Sequence, residues 1–175
     1  SFGDDVKSSE ISEILTLNRG KRLIREQLDL EGEYPVYQNS MTPLGYYNQS
    51  NCRANMTFII AAGTAGEIGY SNIGFWAADD CYYFDCPVNS LLDRFLYHVL
   101  LSQKTVISQM VRKASIPRLS RSSVEKLLIP LPPIDEQERI VSILDRFDKL
   151  CNDLPSGLPA EIEARKKQYE HYRDK

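Results

Sequence analysis

Several places in the chain carry residue types that could do chemistry, and most lack the spacing that chemistry needs. Gly63, Gly66 and Gly69 in GTAGEIG could cradle a phosphate, but the spacing is not GxGxxG. The run also lies between strand-like segments instead of opening a helix, so these read as turn glycines. No GxxxxGK[ST] run occurs, which excludes a P-loop ATPase. His98 and His171 sit far apart in helical patterns, and Cys81 and Cys86 have no second pair beside them. Metal-ligand spacing is therefore missing, and no metal is expected. Asp79 and Asp80 are adjacent carboxylates, but neighbours on a strand point to opposite faces, so they read as a strand-entry turn. The GxSxG elbow is absent too. The chain reads as a non-enzyme with no cofactor of its own.

The basic clusters are of another kind. Arg19, Lys21 and Arg22 surround Gly20, which suggests an exposed, flexible loop. Lys113, Ser115 and Arg118 lie around Pro117, which favours an extended backbone. Between them come polar, aromatic loops: QNSMTPLGYYNQSN offers Gln38, Asn39, Ser40, Asn48 and Gln49, with Tyr46 and Tyr47. Arg and Lys contact phosphates, while Asn, Gln and Arg can read base edges. An ordinary solvated surface fits the same residues.

The elements that must position these residues follow from composition and pattern. At 175 residues, with 42% hydrophobic and 26% charged side chains, the chain can build a substantial core. Its net charge of −3 excludes a generally basic coat and leaves room for a local basic face. Seven basic residues and two acidic ones between Cys86 and Lys126 make that stretch locally positive. No apolar run approaches the ~20 residues of a membrane span. The polar N-terminus reads as neither a signal nor a transit peptide. Cys52, Cys81, Cys86 and Cys151 read as free thiols of a reducing cytoplasm.

YPVY, MTFIIAA, EIGYS and CYYFDC are strand-like, and glycines punctuate them. Residues 90–103 switch to helical spacing, with Asn89 or Ser90 as the expected cap. Pro130, Pro132 and Pro133 force an extended segment. Asp135 with Glu138 then reads as an N-cap and its capping-box partner. The helix behind it aligns Ile140, Ile143, Leu144, Phe147, Leu150 and Cys151. After DLPSGLP a second helix carries Ile162, Tyr169 and Tyr172 on one side. The expected fold class is α+β: a β-rich body over 1–133, then a helical, coiled-coil-type arm over 134–175.

The second half of the chain resembles the specificity subunit of type I restriction–modification enzymes. The motifs that carry the resemblance are Ile129–Pro133 followed by Glu136 and Gln137, and the tail LPAEIEARKKQYEHYRDK. RGKRL at 19–23, YPVYQNSMTPLGYY at 34–47 and the Gly63–Gly69 turn fit as well. The resemblance implies a non-catalytic target-recognition domain that docks on one half of a split double-stranded DNA target. It also implies a helical spacer that holds methyltransferase subunits, with S-adenosylmethionine and ATP entering through the methyltransferase and restriction partners.

Under that resemblance Thr64 and Gly66 join the DNA-binding candidates, and Ile140, Leu144, Phe147, Ile162, Tyr169 and Tyr172 become assembly candidates. Members of the family normally carry two recognition domains and two helical regions, packed with pseudo-twofold symmetry. This sequence has one of each and reads as a half-size subunit or a fragment. One copy can restore the symmetry by pairing with itself, so a homodimer is expected. Two further readings are a methyltransferase fragment and an adaptor that acts through its helical arm without touching DNA.

Overall fold

Short β-branched and aromatic runs suit half-buried pleated surfaces, and through the first half of the chain they pair into sheets. The computed structural model describes residues 6–151. The chain divides into two units, 1–138 and 139–175. The first opens with β1 (Ser8–Glu10), α1 (Ile11–Ile14) and β2 (Thr16–Arg19). β3 (Tyr34–Tyr37) and β4 (Gly45–Tyr47) follow. Next come β5 (Met56–Ile60), β6 (Ile68–Ser71), β7 (Trp76–Ala77) and β8 (Cys81–Asp85). Helices α2 (Asp93–Ser102), α3 (Lys104–Met110) and α4 (Arg121–Glu125) precede β9 (Leu128–Pro130). Residues 134–138 begin a helix, and residues 139–151 of the second unit are helical.

The strands form a four-stranded antiparallel sheet in the order β2-β8-β5-β6, a three-stranded sheet β4-β3-β7, and the pair β1-β9. Among the described strands, only β3 and β7 run parallel. Pro130 stands in the two-stranded pair, where a missing donor is tolerated. Between the larger sheets, Phe58, Phe75 and Tyr37 interlock, with Phe58–Phe75 ring centroids 4.9 Å apart and Tyr37–Phe58 centroids 4.7 Å apart. Met56, Ile60, Cys52 and Cys81 complete this core. Gly69 exists because of it: a Cβ there would lie 2.3 Å from the Phe58 ring. Gly63 and Gly66 take positive φ, 86° and 91°, in the turn between β5 and β6.

Three local expectations need correction. Gly20 is not a flexible loop residue. It is buried, its N–H donates to Cys81 O, and a Cβ would fall 2.1 Å from Ala78 O. Close approach of two backbones, rather than mobility, demands glycine there. Tyr46 and Tyr47 lie in a strand, β4, because they pair with Pro35 and Tyr34. Neither expected helix cap is used. α2 is entered through Leu92, without a side-chain cap. The N–H groups of Glu136 and Gln137 both donate to Pro133 O, so Asp135 lies inside the first turn, not at its cap. A carboxylate there still complements the helix dipole.

Gln137 replaces the missing cap. Its side chain is fully buried. Its Oε1 accepts the Leu92 N–H at 3.0 Å, and its Nε2 donates to Ser90 O and Pro132 O, each at 2.9 Å. Nearby, Arg53 meets Asp93 at 2.7 Å, and the Thr57 hydroxyl donates to Asp93 O. Burial pushes the Asp93 carboxyl above its usual range, and Arg53 pulls it part of the way back.

Two predictions follow from these contacts. Gln137→Leu strands one donor and two acceptors and should cost about 2–4 kcal/mol in chemical unfolding. An unchanged denaturation midpoint would show that the bonds do not hold the turn. Arg53→Ala should cost on the order of 1 kcal/mol at pH 7, because the pair is partly exposed. A carboxyl raised in the folded state loses stability as pH rises through its folded value. Without Arg53 that value rises further, so the deficit should shrink as pH falls toward 4. A deficit that grows in acid would contradict this assignment.

Candidate nucleic-acid interface

The register of the main sheet brings the first cation into place. β2 pairs with β8 so that Arg19 stands opposite Tyr82. The Arg19 Nε donates to Asp79 O at 2.8 Å. On the other side of β8, the chain leaving β5 is laced to the segment that follows α3. Leu119 N–H donates to Ala61 O at 2.8 Å, and Gly63 N–H donates to Pro117 O at 3.1 Å. The 112–118 loop closes on itself. Arg112 N–H donates to Arg118 O at 2.8 Å, and Arg118 N–H donates back to Arg112 O at 3.2 Å.

Arg19, Arg112 and Arg118 consequently line one cavity of about 460 Å³, together with Asp80, Tyr82 and Met110. None of the three arginines forms an ion pair among the described residues. Their positive charge is left available to an anion, and confinement in one concavity concentrates it.

Backbone bonds tie two more candidate segments to this region. Thr64 N–H donates to Asn39 O at 2.9 Å, which fixes the 38–40 segment to the turn that also holds Pro117. Asn39 is exposed, while Gln38 and Ser40 are half-buried. The Ser40 hydroxyl donates to Thr42 O, and that of Thr64 donates to Glu67 Oε2 at 2.6 Å. Lys113 and Ser115 are exposed on the 112–118 loop.

Lys21 belongs to a neighbouring cluster. Its N–H donates to Ala77 O, and its carbonyl accepts from Trp76 Nε1 at 2.9 Å. Tyr47 packs edge-on against Trp76, with ring centroids 5.2 Å apart. Arg22 and Tyr46 are exposed. Gly66 is buried beneath Ile107 and Val111 and serves the turn's backbone. Of the assembly candidates, Ile140, Leu144 and Phe147 lie on helical residues 139–151, whereas Ile162, Tyr169 and Tyr172 lie outside the described residues.

Sequence reasoning passed over Arg112 and Trp76 as site residues, and it read Asp80 only as part of a strand-entry turn. For Arg112 a signal existed: Arg112 and Arg118 bracket a short proline-containing segment, as the two ends of a closed loop would. Trp76 and Asp80 carried no comparable signal, since only the sheet pairing brings them beside Lys21 and Arg19. The buried thiols offer no chemistry. Burial pushes Cys52 up to about 12 and raises Cys81 and Cys86 as well, which keeps all three protonated.

Residues 3–164 match the family described as type I restriction modification DNA specificity domain. The chain is 33% identical over 170 residues to the type I restriction enzyme MpnII specificity subunit of Mycoplasma pneumoniae, covering 94% of this chain and 51% of that one. It is 42% identical over 90 residues to the EcoR124I/EcoR124II specificity subunit of Escherichia coli, covering 50% of this chain and 22% of the relative. The chain thus spans about half the length of the M. pneumoniae relative.

Among solved structures, the S subunit of a type I restriction–modification system from M. genitalium superposes with a TM-score of 0.78 at 22% identity. That match covers 89% of this chain and 43% of the other. The HsdS subunit from Thermoanaerobacter tengcongensis gives 0.67 at 18% identity, covering 88% and 41%. At such identities the likeness speaks to the fold: a mixed α+β unit with a helix following it. With the family match extending over nearly all of its length, the chain belongs to the type I restriction modification DNA specificity domain family.

Proposed function

We propose that this chain is a non-catalytic DNA reader of a type I restriction–modification assembly, with one half of a split double-stranded target as its ligand. The observation that carries the proposal is the convergence of Arg19, Arg112 and Arg118, free of ion pairs among the described residues, on one cavity of an otherwise acidic chain. In this reading the arginines, with Lys21, Arg22 and Lys113, take phosphates and set register. Gln38, Asn39, Ser40, Thr64, Ser115 and the Tyr46–Tyr47 pair face the bases. Methyl transfer and ATP-driven cleavage belong to methyltransferase and restriction subunits, and the assembly works in the cytoplasm.

The helical arm is the assembly element of this proposal. Along residues 139–151, Ile143 is 42% exposed, Leu144 36%, and Phe147 and Leu150 60% each. Such a stripe at helical spacing suits a seam with another helix. We place there both the docking of methyltransferase subunits and pairing with a second copy, which restores the twofold symmetry of a two-domain reader.

Two experiments test these proposals. In the complex with methyltransferase subunits, each of Arg19→Gln, Arg112→Gln and Arg118→Gln should flatten the log–log salt dependence of DNA binding by about 1. Reversing all three charges without effect on binding would remove the cavity from the interface. For the arm, sedimentation of the intact chain should give a dimer that Leu144→Asp with Phe147→Asp converts to monomer while the circular dichroism of the body persists. A monomer at all concentrations in the intact chain would rule out self-pairing.

A further inference from the structure

Asp80 is out of place on a phosphate-binding surface. It lines the same cavity as Arg19, Arg112 and Arg118, and a carboxylate there repels DNA phosphate. The two usual reasons for such a residue do not apply. Asp80 is not the contact partner of an arginine: among the described residues its carboxylate forms no ion pair and no side-chain hydrogen bond. Nor does its side chain hold the turn. Residue 80 secures the turn through its backbone, where Asp80 O accepts the Ala61 N–H at 2.7 Å. The neighbouring Asp79 is different: its carbonyl holds Arg19, and its Oδ1 is buried.

A carboxylate supplies what three guanidiniums cannot, a hydrogen-bond acceptor. In the major groove the donors offered by DNA are the exocyclic amino groups, N4 of cytosine and N6 of adenine. We propose that Asp80 accepts a hydrogen bond from the exocyclic amino group of one base in the target and thereby fixes the identity of that base pair. The inference rests on the DNA-reading function above and adds a specificity-determining residue to it. It carries two effects of opposite sign. The charge of Asp80 weakens binding to any DNA, while its acceptor oxygen favours one base. An aspartate that is merely solvated produces the first effect without the second.

The test uses the full chain in complex with methyltransferase subunits and a randomised duplex library, with the bound fraction sequenced. The wild-type complex should enrich a defined half-site. In Asp80→Ala, discrimination at one position should fall roughly fivefold to a hundredfold. The other positions should keep their preference, and binding to unrelated duplex at low salt should tighten. Duplexes carrying purine in place of adenine, or 2-pyrimidinone in place of cytosine, lack the amino group. At the affected position they should weaken the wild-type complex and leave Asp80→Ala unchanged. Asp80→Asn keeps the shape and one acceptor oxygen, and it should retain part of the preference.

An enriched half-site unchanged in Asp80→Ala would overturn the assignment. So would equal loss at every position with a lowered unfolding temperature, which would make Asp80 part of the framework. A wild-type complex that enriches no sequence would instead sink the DNA-reading function itself.

Discussion

A single buried carboxamide joins the parts of the body that must not move. Gln137 has one acceptor oxygen and two donor hydrogens available for three partners, and it is fully buried. A buried polar group left unsatisfied costs more than its bond contributes, so the 90–92 turn and the proline segment are fixed where Gln137 can serve both. The need is created by the sequence around it. Pro132 and Pro133 bring no N–H groups of their own, and α2 begins without a side-chain cap. β9, immediately before these prolines, pairs with β1. The opening strand, the entry to the central helix and the exit of the body therefore meet through one short stretch of chain.

The cationic cavity is held by a second set of bonds, all to backbone atoms, because its own charges do not stabilise it. Three guanidiniums around one concavity repel each other, and no carboxylate among the described residues pairs with them. What holds them is backbone: the Arg112–Arg118 exchange, the Pro117–Gly63 and Leu119–Ala61 bonds, and the Asp79 carbonyl beneath Arg19. Repulsion of this kind would be relieved by a bound anion, as the proposed function requires. Local rules of stability tend to be broken in this way where a surface has a ligand to meet.

Much of the body was legible because its central strands, β5, β6 and β8, are largely buried on both faces. β5 is buried at all five positions, and MTFII can hardly be anything else. β2 escaped notice because Leu17 is its only buried residue, so no period is visible in four. β4 escaped because a three-residue strand has no period at all. Gly20 misled for a deeper reason: a glycine that is free to move and one pressed against another backbone are the same letter. The partner that settles the matter, the Ala77–Ala78 carbonyl pair, lies far along the chain. The helix start shifted for a related reason. Pro133 O already receives the first helical N–H groups, so Asp135 had no cap left to make. The candidate site was half legible. Charge runs revealed Arg19 and Arg118, but the cavity they share with Arg112 and Asp80 is made by the β2–β8 register and the lacing of residues 112–119 to 61–63.

The way the candidate residues are anchored explains how such a surface can vary without loss of the fold. Asn39, Asp80, Arg112, Arg118 and Lys21 all hold the structure through their own peptide groups. Their side chains are spare: among these five, no side-chain bond secures an element. Any residue with the same backbone conformation keeps the anchor, so substitution changes what the surface recognises before it changes whether the body folds. The exceptions mark where that freedom ends. Gly63 and Gly66 are held at positive φ, Gly20 lies against carbonyl oxygens, and the Gln137 side chain itself carries the bonds. A surface built this way separates the candidate contact residues from those that keep the chain folded, although the two kinds alternate along the same short segments.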